Sequence, residues 1–449
     1  MRLFGTDGVR GRANEFPMDS ETVLKLGRAA AHVLRRSEGR HRILIGKDTR
    51  LSGYMLEQAL ASGIASMGVD VLLCGPLPTP GVAYLTKSMR VDAGIMISAS
   101  HNSYEDNGIK FFGPDGFKLP DSTEDEIERL LGPGHLDELR AVPELIGKAT
   151  RIEDAVGRYI VYLRSALEKH VDFDGLKIVV DTSNGAGYRV APQLLRELGA
   201  TVIVTGDRPD GKNINLNCGS LHPEVMCQLV REHGAHCGFA LDGDADRVIF
   251  CDEKGEVLDG DSLLAMLARS FLERGILRGD GVVATSMSNF GLEVFLKDIG
   301  LKLYRSDVGD RYVLLEMLAR GSNLGGEQSG HIISLEHNTT GDGILTALLV
   351  ISTMLRSEKP LSSFQTLIDR YPQELTSFKI SKKVPFEALP LFKKALDEAN
   401  AAVAGRGRIV VRYSGTELKA RVMVECDDAE LCSKLARDLS ALLASELAK

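Results

Sequence analysis

The sequence predicts an α/β protein: three related α/β units with mixed, mainly parallel sheets, followed by a smaller C-terminal α+β domain, set around a central cleft. Three observations carry that prediction. The chain has 449 residues, 44% hydrophobic and 26% charged, too long for one core at roughly 100–200 residues per domain. Short apolar runs alternate with stretches of helical spacing, and parallel strands need crossover connections of that kind. One layout, a strand running into a polar loop, then a helix, then two further strands, recurs three times.

In the first unit RILIGKDTRLSG (Arg42 to Gly53) reads as a buried strand entering a polar loop. A helix follows with its apolar face at Met55, Leu56, Ala59, Leu60 and Ile64, then strands VDVLLCG and AGIMISASHN. The second unit repeats this with LKIVVDTSNGAG (Leu176 to Gly187), a helix over 191–198, and strands TVIVTG and HCGFALDGDADR. The third is more diverged: GVVATSMSNFG (Gly281 to Gly291), a helix over 292–299, LKLYRSDVGD and NLGGEQSGH. The acidic, proline-punctuated stretch 120–150 reads as a linker, with further boundaries near Asp252 to Gly260 and Pro372 to Ser377. The domains expected are therefore 1–150, 151–254, 255–372 and 373–449. In the last, two helices flank the strand pair RIVVRYSG and KARVMVE, and the final LCSKLARDLSALLASELAK has the spacing of a covering helix.

Composition excludes several classes. Lys+Arg 54 against Asp+Glu 62 gives a net charge of −8, which argues against a nucleic-acid partner or an anionic membrane surface. The longest apolar run, Ile344 to Leu355, is too short for about 30 Å of hydrocarbon. MRLFGTDGVRG lacks the apolar stretch of a signal peptide. Seven cysteines without paired spacing suit buried or free thiols in a reducing cytoplasm, the expected location. Cys227, His233, His236 and Cys237 lack the regular spacing of a structural zinc site and read as a helix end feeding a buried strand.

ALDGDADR places Asp242, Asp244 and Asp246 at alternate positions after a buried strand, so a slight curl converges three carboxylates on one point. Such anions repel unless a cation sits among them, and hard oxygen ligands suit Mg²⁺. A solvated Asx turn is the plainer alternative. An EF-hand is excluded, because Arg247 stands where that pattern needs glycine. SASHN (Ser98 to Asn102) occupies the same repeat position in the first unit. Adjacent residues on a strand end face opposite ways, so Ser100 and His101 are not expected to pair as nucleophile and base, and no G-x-S-x-G elbow is present. A serine beside a divalent metal site can instead carry a phosphoryl group.

The third unit offers GGEQSGH, where Gly325 and Gly326 permit close backbone approach and Glu327, Ser329 and His331 follow. Carboxylate and hydroxyl there suit sugar hydroxyls, with a tight turn as the alternative. RYSGTE in the last domain presents Arg412, Ser414, Gly415 and Thr416, a charged fork with hydroxyls and open amides of the kind a phosphate dianion requires, or else an ordinary hairpin turn. Arg10 in GTDGVRG and Arg50 in GKDTR are expected to support the site electrostatically. Lys110 is either a proton-transfer group or a salt-bridge partner.

Taken together, SASHN, DGDADR, GEQSG, RYSGTE and the opening FGTDGVRG resemble the α-D-phosphohexomutase superfamily, in order and over the whole chain. The resemblance implies that Ser100 is the phosphoserine, that Asp242, Asp244 and Asp246 hold Mg²⁺ together with the Ser100 phosphate, and that His101, Lys110 and Arg247 flank the transferring group. It further implies that Glu327 and Ser329 grip sugar hydroxyls and that Arg412, Ser414, Gly415, Thr416 and Arg421 hold the distal phosphate. Within the superfamily, GEQSG and FGTDGVRG point to interconversion of glucosamine 6-phosphate and glucosamine 1-phosphate, on the route to UDP-N-acetylglucosamine, through a bound 1,6-bisphosphate that also serves as activator. The implied partner is a small phosphosugar, with a homodimer left open. The sequence departs from the superfamily pattern at Ser103 and Leu418, where proline is usual, which bears on loop rigidity. Rival readings are a phosphomannomutase or phosphoglucomutase, a metal-dependent sugar phosphatase, and a non-catalytic phosphosugar sensor.

Overall fold

In the structure of the chain, a computed structural model, the described residues are 3–5, 7–35, 39–132, 134–169, 171–414 and 418–447. The threefold layout holds at the level of strand order. Arg42–Lys47 lies between Asp70–Pro76 and Ala93–Ile97, parallel to both, and Asp106–Phe112 returns antiparallel beside Ala93–Ile97. Lys177–Asp181 lies likewise between Thr201–Thr205 and Cys237–Leu241, with Val248–Asp252 antiparallel to the latter. Gly281–Thr285 lies between Lys302–Ser306 and Leu324–Gly326, with Ile332–Ser334 antiparallel. Each unit thus makes one tight reversal at the carboxyl end of its third strand, at residues 98–105, 242–247 and 327–331. These are the three polar motifs singled out above.

The first sheet is extended to seven strands. The hairpin Phe4–Gly5 and Gly8–Arg12 joins it beside Asp106–Phe112, which places the N-terminal motif next to the serine reversal. At the opposite edge Ala149–Arg151 pairs with Asp70–Pro76. The stretch read as a linker therefore belongs to the first unit: helix Asp121–Leu130 buries Ile127 and Leu130 in that unit's core, and its many acidic residues conceal so short an apolar stripe. The boundary near residue 372 likewise opens a strand, Gln373–Lys379, paired antiparallel with Lys419–Cys426. Its mostly exposed, polar residues carry no apolar run.

One apolar core runs through the first three units, joining Met96 and Phe112 to Val180 and Phe239 and to Val282 and Leu324. The apolar run Ile344 to Leu355 belongs to it, as helix Gly343–Ser357 with most of its residues buried. Asp342 caps that helix, accepting from the Leu345 amide at 2.9 Å and from the Tyr159 hydroxyl at 2.6 Å, as an N-terminal carboxylate should. Among the described residues no helix is long and apolar enough to cross a membrane. The fourth unit has its own core around Phe392, Val422, Leu439 and Leu443. It meets the third through polar contacts: Arg408 donates to the Ser286 and Ser288 carbonyls at 2.7 and 2.6 Å. A shared core makes the first three units one body, whereas a polar contact of this sort permits domain motion.

Helices Ser20–Leu34 and Leu51–Ala65 pack closely through two glycines. A Cβ on Gly27 would stand 2.8 Å from the Leu60 carbonyl oxygen, and one on Gly63 would stand 2.2 Å from that of Leu24. Gly63→Ala is expected to cost about 1–3 kcal/mol by forcing the helices apart, read as a lower Tm.

Candidate functional site

The three reversals meet at a cleft of about 920 Å³ whose lining includes Arg10, Ser100, Asp246, Arg247, Glu327 and His331. Ser100 adopts a left-handed conformation, φ +53°, which costs an L-residue about 1–2 kcal/mol and turns its side chain out of strand register. Its Oγ then donates to Asp242 Oδ2 at 2.6 Å. The same turn brings His101 Nδ1 to 3.4 Å from Ser100 Oγ, so the expectation that the two face opposite ways fails, because Ser100 has left the extended conformation on which it rested. Burial, with Arg247 and Arg10 nearby, pushes the His101 imidazole down to about 4.

Arg50 does not reach the cleft. Its side chain is fully buried, tied to Asp48 at 2.8 Å, and it donates to the carbonyls of Ser100, Asn102, Ser103 and Asp106. It therefore supports the site by clamping the serine loop, not by a field over the substrate. Arg10 does line the cleft and pairs with Asp7 at 2.5 Å.

The triad Asp242, Asp244 and Asp246 is buried, with one oxygen of each lying within 4.8 Å of the others. Ala245, φ +58°, supplies the curl. Asp242 also accepts from the Arg247 amide at 3.1 Å. Burial and its two neighbouring carboxylates push the Asp242 carboxyl well above the usual range. Asp244 Oδ2 accepts from Thr79 Oγ1 at 2.6 Å and from Lys110 Nζ at 2.9 Å. Burial opposes its charge, but Lys110 and Thr79 outweigh burial and hold it below the usual range. Asp244 Oδ1 and Asp246 Oδ1 are buried without any hydrogen-bond partner, a costly state unless a cation takes those lone pairs. The donor set, all carboxylate oxygen, fits a hard divalent cation. Among the described residues this is the one cluster of three or more metal-capable side chains. The Cys227 to Cys237 set is not one: the His236 ring accepts from the Lys177 amide at 3.0 Å.

Lys110 is a salt-bridge partner here, its Nζ lying 2.9 Å from Asp244, 3.2 Å from Asp7 and 3.4 Å from Asp246. Burial works against its charge, yet the three carboxylates hold the ammonium well above the usual lysine range. Lys118, which no sequence pattern marks, bridges Asp7 and Asp310 and so links the first unit to the third. Arg247 keeps its charge against burial through Asp246, Asp242 and Glu327.

Glu327 Oε1 accepts from the Gly309 amide at 3.1 Å, and exposed Ser329 stands 3.4 Å from its other oxygen. His331 is buried behind them, Nε2 3.6 Å from Asp310 and 4.0 Å from Asp246, with neither ring nitrogen hydrogen-bonded. Arg412 and Arg421 face each other across neighbouring strands of the fourth sheet. Like charges so placed repel, and no side-chain hydrogen bond or ion pair joins either guanidinium to a described residue. Burial and Arg421 lower the Arg412 guanidinium, against Asp307. Ser414 is buried beside them, its carbonyl accepting from Lys383 at 2.6 Å. These three do not line the cleft, and Gly415 and Thr416 lie outside the described residues.

A three-unit α/β body with a fourth unit joined through polar contacts, and a serine set against three carboxylates, defines a class, the phosphohexomutase fold. Models of the phosphoglucomutase/phosphomannomutase alpha/beta/alpha domains I, II and III match residues 1–134, 158–255 and 259–371, and that of the C-terminal domain matches 375–442. The chain belongs to the phosphoglucomutase/phosphomannomutase family, and it is a mutase, an isomerase that relocates a phosphoryl group. It is 54% identical to a phosphoglucosamine mutase of Citrifermentans bemidjiense, over 99% of this chain and 98% of that one. It is 52% identical to a phosphoglucosamine mutase of Myxococcus xanthus, over 99% and 97%. Among solved structures, a phosphoglucomutase/phosphomannomutase family protein from Burkholderia thailandensis superposes with a TM-score of 0.81 at 21% identity, covering 99% of this chain and 97% of that one. Aspergillus fumigatus N-acetylphosphoglucosamine mutase, in complex with GlcNAc-6P and magnesium, gives 0.68 at 17%, covering 99% and 96%. At those identities the likeness is one of fold.

Proposed function

We propose that the chain interconverts glucosamine 6-phosphate and glucosamine 1-phosphate through a phosphorylated Ser100 and a bound 1,6-bisphosphate. The observation that carries this reading is Ser100 Oγ held 2.6 Å from a buried triad of carboxylates. The choice of an amino sugar rests on relatives at 54% and 52% identity named phosphoglucosamine mutase. In the forward direction the bond from phosphorus to Ser100 Oγ breaks and one to the sugar O1 forms, while the O1 proton passes to a base in the cleft. His331, which lines the cleft with Glu327, would contact the sugar there. The bisphosphate then turns, the bond from phosphorus to O6 breaks as one to Ser100 Oγ re-forms, and the base returns the proton to O6.

Asp242, Asp244 and Asp246 would hold Mg²⁺, which when bound neutralises charge on the transferring phosphoryl group. Arg247 and Lys110 add fixed positive charge, and His101 flanks the serine. Glu327 and Ser329 would meet sugar hydroxyls. The two facing guanidinia of Arg412 and Arg421, with Ser414, would take whichever phosphate is not reacting, and closure of the fourth unit would bring them to the cleft. The domain limits proposed are 1–150, 151–254, 255–372 and 373–449, which the four matched segments support. Seven buried free thiols support a reducing, cytoplasmic setting.

The test is incubation with glucosamine 6-phosphate, Mg²⁺ and a trace of hexose 1,6-bisphosphate, with glucose and mannose phosphates run alongside. Glucosamine 1-phosphate is the expected product. Preferred turnover of a neutral sugar would favour a phosphoglucomutase or phosphomannomutase, and release of inorganic phosphate without isomer would mark a phosphatase.

A further inference from the structure

The polar segment between strand Thr201–Thr205 and helix Glu224–His233 of the second unit carries no recognised motif, yet it reaches the serine loop of the first. Within it, Asn215 adopts φ +59° and its amide donates to the Ser183 carbonyl at 2.9 Å. Its side-chain Nδ2 donates to the carbonyls of Ser100 and Asn102 at 2.9 and 3.0 Å. A carboxamide nitrogen has two hydrogens, one for each oxygen. Arg50 Nη2 donates to the same two carbonyls at 2.9 and 2.8 Å. Gly243 of the aspartate loop closes the cradle, since a Cβ there would stand 2.5 Å from the Ser100 oxygen and 2.8 Å from Asn215 Nδ2.

We propose that Asn215 is a positioning residue for phosphoryl transfer, tying the serine loop of the first unit to the Ser183 turn of the second, beside the aspartate loop. Arg50 and Ser100 belong to the same unit, so Arg50 can hold the loop's shape but not its place relative to Asp242. Asn215 supplies that second constraint. It holds Ser100 in its left-handed conformation from the side that carries the aspartates. The role rests on the phosphoryl-transfer reading above. A displacement of about 1 Å at reacting atoms costs on the order of 100-fold in rate, whereas the sugar contacts at Glu327 lie on another unit and would be untouched.

The experiment uses Asn215→Gly, which suits a left-handed backbone while deleting the amide, and Asn215→Asp, which keeps the shape but has no hydrogens to donate. Each full-length enzyme is phosphorylated with glucose 1,6-bisphosphate and checked by intact mass. Single-turnover transfer to glucosamine 6-phosphate is then timed, alongside KM and Tm. Transfer is expected to slow roughly 10- to 100-fold in both variants, with KM within about twofold of wild type. Wild-type transfer by Asn215→Gly, or rate and KM worsening together, overturns the role. Should neither variant fold, Gly243→Ala presses on the same carbonyl from the aspartate loop and is expected to show the same split, with an unchanged rate counting against the proposal. A wild-type enzyme that takes no phosphate at Ser100 contradicts the functional reading itself, whereas an active wild type with an equally active Asn215→Gly contradicts only the positioning.

Discussion

Ser100→Ala is expected to lower mutase turnover by at least about 10⁴-fold, the scale on which removing a covalent nucleophile acts. The side chain is the one hydroxyl that donates to the carboxylate triad from the serine loop, at 2.6 Å from Asp242. No neighbouring group replaces it: Ser98 Oγ is committed to Asp48 at 2.7 Å and to the Ser100 amide at 2.9 Å. Alanine meets the same backbone penalty at φ +53° as serine does, and the carbonyl clamp from Arg50 and Asn215 does not involve the hydroxyl. Stability should therefore stay within about 1 kcal/mol of wild type. Intact mass after treatment with glucose 1,6-bisphosphate should show one phosphate on the wild type and none on the variant. A variant that retains near-normal turnover would exclude a phosphoserine route.

The site's skeleton was legible because it is local and repeated. Strand, loop and helix recur in order, so Ser100, the aspartate triad and Glu327 could be placed at equivalent turns before any contact was known. What escaped the sequence is carried by long-range pairings without a local pattern. Lys110 meets Asp244 across 134 residues and Asn215 meets Ser100 across 115. Lys118 and Asp310 pair from different units, and neither stands in a motif. Arg50 illustrates a second limit: its charge at a strand end is visible, but burial decides that it grips carbonyls and never sees the cleft. His101 illustrates a third, since a single left-handed residue overturned an argument built on extended geometry. The fourth sheet's strand Gln373–Lys379 was hidden because it is mostly exposed and polar, so burial left no imprint on its sequence.

Asp244→Asn is expected to cost roughly 10²- to 10⁴-fold in turnover, the range in which a cation's several kcal/mol of transition-state stabilisation lies. The carboxylate has two faces with different duties. Oδ2 accepts from both Thr79 and Lys110, while Oδ1 is buried with no partner and is free to bind a cation. An amide cannot serve both sides. With its oxygen toward Lys110 and Thr79 it presents hydrogens to the cation, and with the oxygen toward the cation it sets those hydrogens against an ammonium. Asparagine also removes one of three mutually repelling charges, which lowers the cluster's need for a cation. Two measurements follow from that geometry. Activity should be partly restored by raised Mg²⁺, because the affinity is weakened and not abolished. The rise in Tm that Mg²⁺ confers on the wild type by binding the folded state should shrink in the variant, a readout that does not depend on turnover. If wild-type activity persists in excess EDTA and Mg²⁺ leaves its Tm unchanged, the three aspartates are a structural turn and the metal reading fails.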